Sequence, residues 1–388
     1  MMKIKSLMIA MLAMVSSMSF VACSKDDTSS NEEHFQAIVD QEVKTNKKHD
    51  KAILVVAFGS TWQQSFDTFD TVLAEYKAEF GKDWDVYLAF SSAICSNQAN
   101  AWEHKDEGAE KRDYFAPEYW LTAIGKMAYK QVVVQSLQVI PGEEYARVCD
   151  VYVKDFLNNK YRLFTEDYMH SLDKRVAIGT SLMDSEEDVE ALAEVLSKES
   201  DIKSVIDNGG TVVFMGHGNP EERYGHGNSR YWQLEEALQN ITPGKFFVGT
   251  VDDEGTVKEY DYAPNLAEDV LDRMDGIVAK DKMVQLYPLM SISGDHAHND
   301  LSDEKKEDSW ISLFKAEGYE KAQAYETNFA EPCWKSYKKG NEGKEYIPAL
   351  AERKAVRNLW MEHTRIAIEL SNNKMGISTP TTAVEEEE

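Results

Sequence analysis

Residues 211–220 read T-V-V-F-M-G-H-G-N-P, an uncharged apolar run that ends in Gly-His-Gly before an Asn-Pro pair. Uncharged, β-branched runs are typical of parallel strands that are buried on both faces. In open α/β sheets, ligands bind outside the carboxyl ends of the strands. The stretch therefore predicts a buried strand that carries His217 to a cleft, where its imidazole could bind a metal or move a proton. The plainer alternative is a packed, hydrogen-bonded histidine.

Similar apolar runs recur along the chain. One begins at Lys51 and continues A-I-L-V-V-A-F-G-S-T, and others occupy residues 85–92, 131–140 and 175–180. Between them, apolar residues follow the three- and four-residue spacing of amphipathic helices. Alternation of strands and helices predicts an α/β fold with doubly wound parallel sheets.

The second half of the chain repeats the first. In order, V-V-A-F-G-S-T matches V-V-F-M-G-H-G, V-Y-L-A-F-S-S matches F-F-V-G-T-V-D, and V-Q-S-L-Q-V-I-P-G-E-E matches L-Y-P-L-M-S-I-S-G-D-H. The offsets between matched segments are 157, 160 and 152 residues. Three ordered matches at similar offsets indicate two copies of one α/β unit.

The repeat predicts how the globular part is divided. We expect two duplicated α/β domains at residues 51–180 and 181–350, with a cleft between them. A helix at residues 351–370 is expected to pack back on the first domain. Residues 371–388 are interpreted as an acidic, disordered tail.

Polar side chains lie at matched strand ends of the two halves. Two imidazoles and a carboxylate that converge from neighbouring strands suit borderline divalent ions such as Co²⁺, Ni²⁺, Fe²⁺ or Zn²⁺. The second half has such a set and the first does not, so the first is expected to form the other wall of the cleft. The residues are Ser60, Ser92 and Glu144 in the first half, and His217, Asp252 and His296 in the second.

Composition narrows the class of protein. The 388 residues carry a net charge of −26 and are 43% hydrophobic. This charge argues against nucleic acid or an anionic membrane surface as the partner, and it suits a protein that meets cations. No phosphate-binding P-loop motif is present, so we expect no nucleotide cofactor. The cysteines form no C-x-x-C pair, which argues against a thiolate zinc site, although Cys95 and Cys149 could pair.

The N-terminus has the features of an export signal. Lys3 and Lys5 precede a short apolar run, and Ala22 precedes Cys23. This pattern predicts a signal peptide over residues 1–22 and lipidation of Cys23. Residues 23–50 are then expected to be a polar tether. The protein would be an exported lipoprotein, held at the periplasmic or outer-membrane surface by its lipid anchor only.

With these residues the chain resembles a known family, the CbiK-type anaerobic sirohydrochlorin cobaltochelatases of the class II chelatases. The similarity extends from Lys51 to about Tyr319 and includes the last helix. It is carried by V-V-A-F-G-S-T, V-V-V-Q-S-L-Q-V-I-P-G-E-E-Y, V-V-F-M-G-H-G, V-G-T-V-D and P-L-M-S-I-S-G-D-H-A-H-N-D. Gln138 stands where relatives commonly have histidine, and residues 330–346 look like an insertion relative to the family.

The resemblance implies a metal site. The family's two metal-binding histidines fall on His217 and His296, and a family glutamate falls on Asp252. Asp253 and Glu254 follow directly, so the carboxylate that reaches the ion is left open.

The resemblance also implies an activity: ATP-independent insertion of Co²⁺ into sirohydrochlorin for cobalamin synthesis, with release of two protons. Fe²⁺ or Ni²⁺ are the alternative metals. The two histidines would be both ligands and proton acceptors. Ser60, Glu144 and Arg223 are candidates for binding the tetrapyrrole. A homo-oligomer is possible.

The sequence also allows other interpretations of the function. A non-catalytic haem- or tetrapyrrole-binding lipoprotein for uptake is the main alternative, and a zinc hydrolase fits poorly because no H-E-x-x-H motif is present. His298 is either an extra ligand or a chance neighbour of His296 on an extended segment. The remaining candidates are expected to be structural or at the surface: His226, His363, Arg147 and Arg230.

Overall fold

A computed structural model describes residues 25–96, 114–219, 224–251, 266–326 and 347–379. These residues form two four-stranded sheets whose strands pair in parallel. The strand orders are β2-β1-β3-β4 and β6-β5-β7-β8, so the second sheet repeats the topology of the first. The predicted pair of doubly wound α/β units is therefore confirmed. The strands are β1 (Lys51–Ala57), β2 (Asp85–Phe90), β3 (Gln131–Ser136), β4 (Val176–Gly179), β5 (Thr211–Gly216), β6 (Phe246–Thr250), β7 (Val284–Leu289) and β8 (Ala322–Ala324).

Helices cover both faces of each sheet, as parallel strands require. Two segments, Arg147–Val153 and His296–Leu301, are π-helical. The α-helices are α1 (Lys25–Asn46), α2 (Gln63–Phe80), α3 (Pro117–Lys126), α4 (Glu143–Ala146), α5 (Lys154–Leu157), α6 (Glu166–Ser171), α7 (Glu186–Lys198), α8 (Ser200–Asp207), α9 (Gly225–Ile241), α10 (Ala267–Met274), α11 (Trp310–Ala316) and α12 (Lys354–Asn372). Within the described ranges, no helix combines the length and apolarity needed to cross a bilayer.

The two sheets share one central core. Alternate residues of a strand point to opposite faces, so Val55 of β1 and Phe214 of β5 face inward, toward each other's sheet. The layer between the sheets contains α2, α7, α9 and α12, with Trp360 of α12 fully buried. The outer faces have separate clusters. The predicted division into domains describes the sheets, whereas the core between them is continuous.

Helix α1 differs from the polar tether predicted for residues 23–50. Val39 and Val43, one turn apart, are completely buried against the outer face of the first sheet. Phe35 packs on Phe115 just before α3, with ring centroids 5.8 Å apart, and Lys47 Nζ donates to the Met127 carbonyl beyond the other end of α3. The two helices therefore run side by side in the same direction.

The C-terminal segment is ordered further than the sequence predicts. Helix α12 lies on β3, where Thr364 Oγ1 donates to Gln135 Oε1 over 2.9 Å. Ser371, predicted to begin the disordered tail, is fully buried in the last turn of α12. Ile377 then forms an antiparallel bridge with Val176 at the sheet edge. The tail prediction is wrong for residues 371–379, because Ser371 is buried and the backbone N–H groups of Gly376 and Ile377 donate to the carbonyls of Lys174 and Val176.

Candidate active site

A cleft of about 490 Å³ opens at the carboxyl ends of both sheets. This is the edge at which parallel α/β sheets bind ligands. Its walls combine apolar side chains such as Ile140 and Leu289 with polar groups from both halves of the chain. The site candidates that line it are Ser60, Ser92, Glu144, His217 and His296.

His217 is the first residue after β5 and is exposed to the cleft. Gly216 before it cannot carry a Cβ, because the Tyr231 ring occupies that space. Gly218 after it has a φ of +85°, a conformation that favours glycine. The flanking glycines thus let the chain turn sharply and present the imidazole. Its Nδ1 lies 3.0 Å from the Gly218 carbonyl oxygen.

His296 opens the π-helix that follows β7. Its ring meets the His217 ring edge-on, with centroids 4.7 Å apart and an interplanar angle of 89°. Its Nδ1 lies 2.7 Å from Asp300 Oδ2, and the other oxygen of Asp300 accepts from Lys306 Nζ. Burial opposes ionisation of Asp300, but the contacts with Lys306 and His296 outweigh it and hold the pKa of this carboxyl below its usual value.

The opposite wall comes from the first sheet. Ser60 is buried and its Oγ accepts the Trp62 backbone N–H over 3.1 Å. Glu144 lies at the start of α4, where burial raises its carboxyl pKa, and Arg147 Nη1 at 3.3 Å only partly offsets that effect. This wall therefore supplies a weakly acidic carboxyl and hydroxyl groups, and the histidine pair lies on the side of the second sheet.

A model of the cobalt chelatase family CbiK matches residues 51–369. The chain belongs to this family. It is therefore a metal chelatase, an enzyme of the lyase class. The two histidines of the cleft are the residues on which the resemblance places the family's metal ligands.

Individual relatives agree with the family match. The sirohydrochlorin cobaltochelatase of Salmonella typhimurium is 27% identical over 271 residues, which cover 69% of this chain and 86% of that protein. The sirohydrochlorin cobaltochelatase CbiKC of Nitratidesulfovibrio vulgaris is 28% identical over 273 residues, or 69% and 80% of the two chains. The chain is also similar to the structure of SirB from Bacillus subtilis with Fe³⁺, which matches 84% of this chain and 99% of its own at 14% identity, with a TM-score of 0.48.

The third metal ligand predicted for the chelatase is a carboxylate that follows β6 in the sequence. Asp252, Asp253 and Glu254 lie outside the described residues, as do Arg223 and Cys23. Among the residues that are described, no group of three or more His, Cys, Asp or Glu side chains could hold a metal. The described site is therefore a pair of imidazoles. An ion bound by this pair would need a further donor to complete its coordination.

Contacts across the cleft join the two halves of the chelatase. The Trp62 ring stacks on His298 at 3.9 Å and 16°, and its Nε1 donates to Asp295 Oδ1 over 2.8 Å. Ser65 Oγ donates to the Ser293 carbonyl over 2.6 Å. His298 is thus held by a stacking contact on a π-helix, and the extended segment expected around it is not formed.

Three other candidates have structural contacts. Arg230, expected at the surface, is only 6% exposed; its guanidinium donates to Gln233 and to the Asp184 carbonyl. His226 is exposed in the first turn of α9, 3.3 Å from Arg230. His363 is buried and uses both ring nitrogens, Nε2 toward Asp188 at 3.0 Å and Nδ1 toward Thr180.

Two further residues of the site were missed by sequence reasoning. Asp300 lies four positions after His296, a spacing that brings side chains together only on a helix, whereas an extended segment was expected. Asn219 accepts the Glu143 backbone N–H over 2.8 Å and so joins the His217 loop to α4 of the other half. The Asn-Pro pair after Gly-His-Gly was the only signal for it.

Proposed function

We propose that this chelatase inserts Co²⁺ into sirohydrochlorin, without ATP and with release of two protons. The observation that carries the proposal is the perpendicular pair formed by His217 and His296 inside a cleft between two sheets. Two relatives that are 27% and 28% identical to this chain over the matched residues are named for that reaction. The pathway expected to use the product is cobalamin synthesis.

Metal insertion requires ligand exchange at the ion and proton transfer from the macrocycle. A divalent ion that enters the macrocycle replaces two pyrrole N–H protons, so charge is conserved when two protons leave. Neutral imidazoles bind borderline ions and accept protons near neutral pH. In His296 the Nδ1 nitrogen contacts a carboxylate, so Nε2 is the nitrogen that can bind the ion or accept a proton. The same donor pair suits Fe²⁺ and Ni²⁺, which we regard as alternative substrates.

Other parts of the site are assigned by the same proposal. Asp252 supplies the third ligand, since it follows β6, the neighbour of β5 in the sheet. Ser60 and Glu144 contact the tetrapyrrole from the opposite wall, because both line the cleft. Arg223 pairs with a substrate carboxylate, a contact for which a guanidinium is well suited.

The test is an insertion assay with metal-free sirohydrochlorin and Co²⁺, Fe²⁺ or Ni²⁺, followed by the absorbance change of the macrocycle. We expect Co²⁺ to give product faster than the enzyme-free reaction, and ATP to have no effect. A protein that binds haem through His217 or His296 as axial ligand, yet converts none of the three metals, would be a carrier and would contradict the proposal.

We also propose that the chelatase is an exported lipoprotein anchored through Cys23. The short apolar run and the Ala22-Cys23 junction support this location. Replacing Cys23→Ser in the full chain should abolish incorporation of labelled fatty acid and move the protein to the soluble fraction. The insertion rate of the purified protein should not change, since Cys23 is not among the residues proposed to bind metal or tetrapyrrole. Unchanged lipid labelling in the variant would refute the anchor.

A further inference from the structure

We propose that Asp300, held in place by Lys306, positions His296 for metal binding by fixing which ring nitrogen carries the proton. The inference rests on the proposed metal-binding role of His296 and names the residues that prepare it. Neither Asp300 nor Lys306 lines the cleft, so both act through the histidine.

The two carboxylate oxygens of Asp300 contact different residues. Asp300 Oδ2 lies 2.7 Å from His296 Nδ1, and Asp300 Oδ1 accepts from Lys306 Nζ. An ionised carboxylate can only accept hydrogen bonds, so Nδ1 must carry the proton and Nε2 the lone pair. The π-helix that carries both residues is itself fixed, because Ala297 and Leu301 are fully buried beneath it. A metal-binding histidine whose other nitrogen donates to a carboxylate is better oriented and more basic.

His217 provides the first contrast. Its Nδ1 faces the carbonyl of the next residue, Gly218, at 3.0 Å. A neutral carbonyl of the same turn orients the ring less strongly than an ionised carboxylate does. Of the two Nδ1 contacts, the one that His296 makes with Asp300 is therefore the stronger orienting contact.

His363 provides the second contrast, since it also pairs with an aspartate. Its Nε2 lies 3.0 Å from Asp188, and its Nδ1 lies within reach of both the hydroxyl and the carbonyl of Thr180. Both nitrogens of this buried ring are occupied by protein groups, so the pair can only be structural. In the His296 pair the carboxylate occupies one nitrogen, and the ring lies in the cleft wall.

Asp300→Asn tests the proposal. An asparagine can rotate its amide and donate to Nδ1, which would place the proton on Nε2 and block the metal lone pair. We expect Co²⁺ affinity to fall by about 10- to 100-fold, the usual effect of losing such a support. The melting temperature and the affinity for metal-free sirohydrochlorin should stay at wild-type values. Lys306→Ala should give a smaller loss of Co²⁺ affinity, and Lys306→Arg should restore it.

Asp308→Asn is the matched control. This carboxylate lies 3.8 Å from the same Lys306 Nζ but is 76% exposed and does not contact His296, so its removal changes the local charge alone. Wild-type Co²⁺ affinity in Asp300→Asn, or equal losses in Asp300→Asn and Asp308→Asn, would overturn the positioning role. So would a loss of Co²⁺ affinity accompanied by lower melting temperature and weaker tetrapyrrole binding. Because Co²⁺ binding is measured without turnover, the result stands even where insertion of Co²⁺ fails.

Discussion

Replacing both cleft histidines, His217→Ala with His296→Ala, is expected to abolish Co²⁺ binding and metal insertion. Each single variant should lose at least about 100-fold in Co²⁺ affinity, because loss of a ligand exceeds the effect of losing a supporting residue. The rings lie in the cleft wall, 4.7 Å apart, and His217 is exposed. Truncating an exposed side chain changes the free energy of unfolding by about 0.5 kcal/mol or less, so folding of His217→Ala should be unaffected.

Paired titrations separate the roles of the two substrates. Co²⁺ and metal-free sirohydrochlorin are titrated separately against wild type, both single variants and the double variant. The tetrapyrrole should bind all four proteins, since the cleft walls hold it. His226→Ala serves as the control, because this histidine is exposed on α9 and does not line the cleft. If the double variant still inserts Co²⁺ at the wild-type rate, the histidine pair is not the metal site.

Arg353→Met is expected to cost about 3–5 kcal/mol of unfolding free energy, the usual penalty for removing one partner of a buried ion pair. Arg353 is only 7% exposed, just before α12. Its guanidinium bonds both oxygens of Asp201, at 3.0 and 2.8 Å, and Glu199 at 3.0 Å. The methionine fills similar volume but leaves the Asp201 carboxylate without its cation. Urea denaturation at neutral pH measures the loss.

The loss of unfolding free energy in Arg353→Met should also depend on pH. In the wild type, burial opposes ionisation of Asp201, but Arg353 and two backbone N–H groups hold its pKa below the ordinary 3.8. A depressed pKa adds stability that is present above that ordinary value and is lost as pH falls through the folded-state pKa. Without Arg353, burial is left less opposed and the pKa of Asp201 should rise. The difference in unfolding free energy between the wild type and Arg353→Met should therefore become smaller below about pH 4.

The pair formed by Lys203 and Asp207 provides the control for this prediction. The two side chains are 60% and 59% exposed, and their closest N–O distance is 2.7 Å. An exposed helical pair contributes only about 0.3–0.5 kcal/mol, so Lys203→Met should be nearly neutral. A loss of similar size in both variants would show that burial is not the cause.

The buried strands were the most predictable part of the fold. The uncharged run at residues 211–216 became β5, and the repeat predicted that the second sheet would copy the first. The end of β3 was predicted too late, at residue 140 instead of Ser136. Val139 and Ile140 lie in a loop but are buried in the central core. An apolar pattern reports burial, and it cannot distinguish a buried loop from a continued strand.

Contacts between distant residues were the least predictable part of the site. Arg230 is buried and donates to the Asp184 carbonyl, 46 positions away in the sequence. A local sequence pattern cannot predict so distant a partner. Helix α1 was missed because its first residues are polar and its buried face is narrow, with Val39 and Val43 at its centre. His217 and His296 could be proposed as neighbours from the repeat, since equivalent strand ends meet at one sheet edge.

Helix α1 determines where the chain enters the fold. It runs alongside α3 with Phe35 next to Phe115, and the backbone N–H of Phe90 at the carboxyl end of β2 donates to the Phe115 carbonyl. The start of α1 at Lys25 therefore points to the edge where the cleft opens, about 15 Å beyond Phe35 at 1.5 Å per residue. A lipid on Cys23 would be joined to a docked helix through a single residue. With such an anchor, the cleft would open on the same side of the fold as the lipid.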